Sequence, residues 1–175
     1  SNWLGRFVKE VKRVQKKYPK IRIFSAIEAK AIDLGGSIDA DKSFFEKVDL
    51  VCGVCHRIPK KRDIYLSKDE ILKDKRLALN LWYKAKLGLL RNSNIDIILH
   101  PTLILKSNNI RLPKKMQIVL AKTAKKYDKV LEINSYYKVP DKSFLKILRS
   151  AGVRLAYGSN SHNIEDLKRA TRSRS

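Results

Sequence analysis

The chain has three histidines, and each stands where an apolar run gives way to polar residues. Val48 to His56, VDLVCGVCH, delivers His56 and then Arg57. Asp96 to Pro101, DIILHP, carries His100, and Val153 to His162, VRLAYGSNSH, closes on Asn160 and His162. Glu28 follows a fourth such run, IRIFSAI, and a carboxylate beside buried surface needs a cation or a metal as its partner. Imidazoles and a carboxylate converging on one rim suit Zn, Mn or Fe, the carboxylate being able to bridge two ions. An ion so held generates hydroxide near neutral pH, and a pair of ions can clamp the attacking and leaving oxygens of a phosphoryl displacement. Arg57, Lys60, Lys61 and Lys106, close in sequence to these positions, suit a phosphate, the arginine through two parallel hydrogen bonds.

The elements that must position these residues follow from periodicity. Residues 2–18 place Trp3, Leu4, Phe7, Val8, Val11, Val14 and Tyr18 on one helical face and lysines on the other, a stripe expected to lie inside a larger fold. Ile21 to Ile27 reads as a strand presenting Glu28 at its end, and Val48 to His56 as a buried strand. IPKKR reads as a polar loop. Ser67 with Glu70 forms a capping box for one long helix reaching Leu90. The strand Ile95 to Leu99, a helix from Pro113 to Tyr127, the strand Val130 to Ile133 with Glu132 in it and Asn134 at its end, a helix capped by Asp141, and the strand Val153 to Tyr157 complete the series. A short helix begins at Asn163. Strands alternating with helices predict a parallel α/β sheet or barrel, in which functional side chains collect at the carboxyl ends of the strands.

A length of 175 residues and 43% hydrophobic content fit one globular domain, 1–170, followed by a disordered basic tail, 171–175. No apolar run approaches the ~18 residues of a membrane span, and no secretory leader pattern is evident, so a soluble protein in the cytoplasm is expected. Cys52 and Cys55 are three positions apart in one strand, hence on opposite faces, and read as buried free thiols rather than a redox or metal pair. Lys and Arg number 39 against 17 Asp and Glu, a net charge of +22. Such an excess makes a polyanion, nucleic acid above all, an expected partner whose binding weakens as salt rises.

From about Ile21 to Leu167 the sequence resembles the C-terminal two thirds of a PHP (polymerase and histidinol phosphatase) domain, through SAIEAK, DLVCGVCHR, DIILHPT, LEINS and AGVRLAYGSNSH. The resemblance implies a distorted, TIM-like seven-stranded barrel, here incomplete with about five strands, and a cluster of up to three metal ions that hydrolyses phosphoesters. By position, Glu28 would be the bridging carboxylate, His56 and His100 would complete one site with it, and Asn160 and His162 would belong to a neighbouring site. The family's HxH motif on the first strand is absent, and its GSDSH pattern has Asn160 in place of the aspartate. One complete metal site is therefore expected, in a metal-dependent phosphoesterase acting on a phosphomonoester or on nucleic acid. The alternative is a degenerate, non-catalytic barrel that binds RNA or DNA or serves in assembly, as in ribonuclease P or polymerase-associated relatives. An open barrel leaves residues 21–27 as an apolar edge that a missing N-terminal segment, a second copy or a partner protein is expected to cover.

Overall fold

The helix α1, Trp3–Lys17, forms on the amphipathic pattern, yet of its apolar face only Leu4 is buried, while Trp3 and Phe7, and Tyr18 just beyond, stay exposed. The computed structural model describes residues 3–172, with side chains as far as Lys168. Val8, Val11 and Val14 are half-buried, so among these residues the stripe is only partly covered and α1 borders the fold instead of lying inside it.

The strand β1, Ala26–Lys30, starts at Ala26 and not at Ile21. Gln15 of α1 is the reason. Its Nε2 donates to the Ile21 carbonyl at 2.7 Å and its Oε1 accepts the Ile23 N–H at 2.8 Å. Asp49 similarly accepts the N–H and the hydroxyl of Ser25, each at 2.7 Å. Backbone groups satisfied by side chains do not need a strand partner, and the segment before Ala26 reaches β2 only through the Ser25 carbonyl, which accepts the Leu50 N–H at 3.1 Å.

Next come α2, Lys42–Phe45, capped by Asp41, and β2, Leu50–Val54. The segment expected as a loop folds as an antiparallel hairpin of β3, Pro59–Lys61, and β4, Ile64–Tyr65, turning through Asp63 in the left-handed region at φ 57°. The long helix is two helices, α3, Lys68–Lys73, and α4, Lys75–Arg91. Ser67 and Glu70 do form the capping box, but Asp74 ends α3 and, accepting the Leu77 N–H at 2.8 Å, restarts the chain as α4. Then follow β5, Ile97–Ile98; α5, Leu103–Ser107; α6, Lys114–Lys126; β6, Val130–Asn134; α7, Lys142–Ser150; β7, Arg154–Gly158; and α8, Ile164–Arg172. Of the tail read as disordered, Thr171 and Arg172 end α8 and the last three residues lie outside the described ones.

The five long-range strands form one parallel sheet in the order β1-β2-β5-β6-β7, each laid beside its predecessor in the chain. This is the α/β alternation expected from the sequence. Ile27, Val51, Ile98 and Leu131 point to one face and pack with Trp82 and Leu89 of α4, Leu120 and Ala121 of α6, and Phe144 and Leu148 of α7. Each of the valine, leucine, isoleucine and phenylalanine side chains contributes about 1.5–3 kcal/mol on leaving water. Alternation sends Glu28, Cys52, Glu132 and Asn134 to the other face. One close approach fixes the loop after β1 against α4: Gly36, at φ 89°, lies on the backbone of Gly88, where a Cβ on either would collide. β1 and β7 pair with no further strand among the described residues. No described helix is long and apolar enough to cross a membrane.

Candidate metal centre

Three of the sequence-predicted ligands come together. Glu28, His56 and His100 each place one ligand atom within 4.8 Å of the other two. Glu28 is not at the end of its strand; it is central in β1, paired with Cys52, and reaches His56 with Oε1 3.2 Å from Nε2. The strand outlasts it because Ala29 and Lys30 still pair with Gly53 and Val54 of β2. His56 and His100 follow β2 and β5, as their apolar runs predict, and their rings stack at 5.1 Å.

His100 occupies the left-handed backbone region at φ 65°, an uncommon conformation for a residue with a Cβ and one that recurs at functional sites. It is buried, and that burial, reinforced by the neighbouring His56, lowers its pKa from 6.5 to about 4. His100 is consequently a neutral imidazole at physiological pH, the form that ligates a metal. Two imidazoles and one carboxylate within a single ion's reach form a donor set that fits Zn, Mn or Fe. Cys52 and Cys55 are buried free thiols, and desolvation, with Glu28 next in importance, pushes Cys52 up to about 12. As thiols of that kind they are poor ligands.

Asn160 and His162 are not in this cluster. They lie beyond β7 as a pair of their own, Asn160 Nδ2 standing 3.5 Å from His162 Nε2 and 3.5 Å from the Tyr137 hydroxyl. The basic residues are mostly occupied. Lys60 pairs with Glu70 at 2.7 Å, and Lys106 donates to the Tyr137 carbonyl at 2.7 Å and to that of Lys138 at 3.4 Å. The Arg57 guanidinium lies over the Tyr65 ring at 4.5 Å, and Lys61 is exposed on the hairpin.

No protein-family model matches the sequence. A probable phosphatase from Caldicellulosiruptor saccharolyticus is 32% identical over 164 residues, covering 89% of this chain and 59% of the relative. A probable phosphatase from Caldicellulosiruptor bescii is 29% identical over the same shares, and one from Acetivibrio thermocellus is 26% identical over 81% of this chain and 53% of its own. The chain thus spans between half and three fifths of the length of the curated relatives it matches. Among known structures, histidinol phosphate phosphatase from Lactococcus lactis, crystallised with zinc, L-histidinol and phosphate, superposes with a TM-score of 0.59 at 16% identity, over 97% of this chain and 72% of the other. The fold resembles that of a histidinol phosphate phosphatase.

Two residues beside the centre were not among the candidate site residues. Glu132, on the same sheet face as Glu28, is buried, accepts from Asn134 Nδ2 at 3.0 Å on one oxygen and has no partner for the other among the described residues. Desolvation raises its pKa from 4.5 to about 7, the Asn134 hydrogen bond opposing and the Glu28 charge adding to the rise. Its carboxylate leans over Gly158, where a Cβ would collide with it. The LEINS motif contains Glu132, but only strand parity, carried from β6 to its neighbours, puts it on the face of Glu28. Tyr137, in the loop after β6, packs edge-on against His100 at 6.1 Å, and nothing periodic in NSYYKVP signals it.

Proposed function

We propose that the chain carries the metal-binding part of a PHP-class, metal-dependent phosphoesterase that hydrolyses a phosphomonoester or a nucleic-acid phosphate. The observation that carries the reading is the convergence of Glu28, His56 and His100 from three adjacent parallel strands onto one ion's reach. Similarity to three probable phosphatases, and a fold like that of an enzyme crystallised with zinc and phosphate, support it.

Glu28, His56 and His100 would hold a divalent ion, Zn, Mn or Fe, which when bound lowers the pKa of water and withdraws charge from a phosphate. Glu28 contributes the negative charge and is the open side of the site, its side chain being 43% exposed. His100 contributes a neutral donor from the buried side, and its ring is fixed between His56 and Tyr137. Arg57, directly after His56, is the basic residue best placed in sequence to neutralise the phosphate, with Lys61 four residues on. The edge of β1, with the exposed stripe of α1 next to it, is where a further segment, a second copy or a partner would pack.

The test is elemental analysis of protein purified without added metal and again after incubation with Mn and Zn, beside Glu28→Gln, together with hydrolysis of p-nitrophenyl phosphate. About one ion per chain, lost in the variant along with hydrolysis, is the expected result. Absence of metal under every condition refutes the reading. In that case salt-sensitive nucleic-acid binding that survives chelation would favour the alternative motivated by the charge of +22, a basic binding or assembly module.

A further inference from the structure

We propose that Tyr137 is a substrate-contacting residue, its hydroxyl donating to a phosphate oxygen beside the Glu28–His56–His100 centre, with the Asn160 amide holding the phenol in place. The proposal rests on reading that centre as a phosphoesterase site.

Tyr137 is held from both sides of its backbone. Its N–H donates to Asn134 Oδ1 at 2.9 Å, and its carbonyl accepts from Lys106 at 2.7 Å. Asn134, buried at the end of β6, is itself tied to Glu132 through its amide nitrogen and to Val139 through its backbone. The ring is then caught between two others, with centroids 6.1 Å from His100 and 5.0 Å from Tyr136, both edge-on. A phenol fixed by backbone, loop and ring contacts presents its hydroxyl with little rotamer freedom to lose on binding.

What the hydroxyl faces decides its role. Asn160 stands between Tyr137 and His162 at 3.5 Å from each, longer than the usual range of about 2.7–3.2 Å. The amide nitrogen can only donate, so it directs hydrogens at the phenol oxygen and the imidazole nitrogen and leaves the phenol hydrogen free to donate outward. The carboxylate of Asp166 meets the group at His162, accepting its backbone N–H at 3.2 Å, while the groups that meet at the Tyr137 hydroxyl are a phenol and an amide, both neutral. A cation would find neutral oxygens here, next to a centre that itself collects positive charge, whereas a phosphate oxygen would find a donor. An aspartate at position 160 would instead accept the phenol hydrogen and set a negative charge against the phosphate. On this reading asparagine is the functional residue there, and the pair serves an anion subsite.

The experiment measures affinity for inorganic phosphate by calorimetry, together with metal content by elemental analysis, for wild type, Tyr137→Phe and Asn160→Asp after incubation with Mn. Tyr137→Phe keeps the ring against His100, so metal content and thermal midpoint should match wild type while phosphate affinity falls about ten- to a hundredfold, the usual scale for a hydrogen bond to a charged group. Asn160→Asp should also weaken phosphate binding without adding metal. Unchanged affinity in Tyr137→Phe overturns the proposal, as does an Asn160→Asp protein that takes up an additional ion and binds phosphate more tightly. Failure of wild type to bind phosphate overturns it as well. Should wild type bind no metal, the phosphoesterase reading fails on that count alone, and the Tyr137→Phe comparison on the same metal-free protein still decides the subsite.

Discussion

Replacing Glu132 with glutamine should change how stability depends on pH, by an amount that follows from its burial. One pKa unit is worth about 1.4 kcal/mol. The folded protein holds the Glu132 proton more tightly than the unfolded chain does, its pKa being raised from 4.5 to about 7. Its contribution to stability is therefore complete below the ordinary carboxylate range and is lost as pH rises through about 7. Between about pH 5 and about pH 8 the loss amounts to about 2.5 kcal/mol. His100 acts in the opposite sense, because its pKa is lowered from 6.5 to about 4. It binds its proton less tightly when folded, and stability rises by about 2 kcal/mol over the same interval as the imidazole becomes neutral in both states. In wild type the two nearly cancel. Glu132→Gln removes one of them, so its stability relative to wild type should improve by about 2.5 kcal/mol from the lower to the higher pH. Any constant cost of burying the new amide drops out of that difference. Urea unfolding followed by circular dichroism, at both pH values and with a chelator present, measures it. Identical pH slopes for variant and wild type would refute the placement of Glu132 as a buried, half-satisfied carboxylate.

Gly158→Ala should destabilise the protein by about 2–3 kcal/mol, because its Cβ would enter the space of Glu132 Oε1, and the loss should shrink when Glu132→Ala is combined with it. Thermal melts of the two single variants and the double variant measure the coupling. Lys86 is buried in α4 near Cys55 with its ammonium over the Trp82 ring at 5.7 Å, and burial lowers its pKa. Its folded form is penalised wherever the unfolded lysine is charged, so Lys86→Met should be more stable at neutral pH by about 1 kcal/mol or more. That advantage should fade as pH approaches the ordinary lysine value of 10.5, which urea titrations across the alkaline range would show.

Strand and helix alternation was legible because each strand carries its own apolar run and most helices bring a cap with them. Asp141 accepts the Phe144 N–H at the head of α7, and Gly152, at φ 66°, follows its end. His56 and His100 were legible because each closes an apolar run just past the end of its strand, whereas the same rule misplaced Glu28, whose strand continues through Lys30. What failed were the places where a side chain from elsewhere decides. IRIFSAI has the composition of a strand along its whole length, but Gln15 of α1 satisfies Ile21 and Ile23, and Asp49, 24 residues on, satisfies Ser25. The hairpin of β3 and β4 is too short and too lysine-rich to show alternation. Tyr137 touches His100 only through the turn after β6, a juxtaposition that no local pattern encodes.

The strand order adds a constraint on how such a centre would work. Glu28 comes from β1, at the border of the sheet, while His56 and His100 come from β2 and β5 inside it. One wall of the site is thus the buried His100, and the other is a half-exposed carboxylate on an edge whose outer backbone groups are unpaired by any strand among the described residues. A strand added there would lie directly beside Glu28, deepening its burial and strengthening its attraction for a cation. Metal affinity and edge coverage should therefore rise together. The same coupling follows from the groove of about 400 Å³ that Trp3, Phe7, Ile27 and Phe44 line along β1, because Glu28 is part of its wall. Whatever packs into that groove touches the carboxylate on which the proposed chemistry depends.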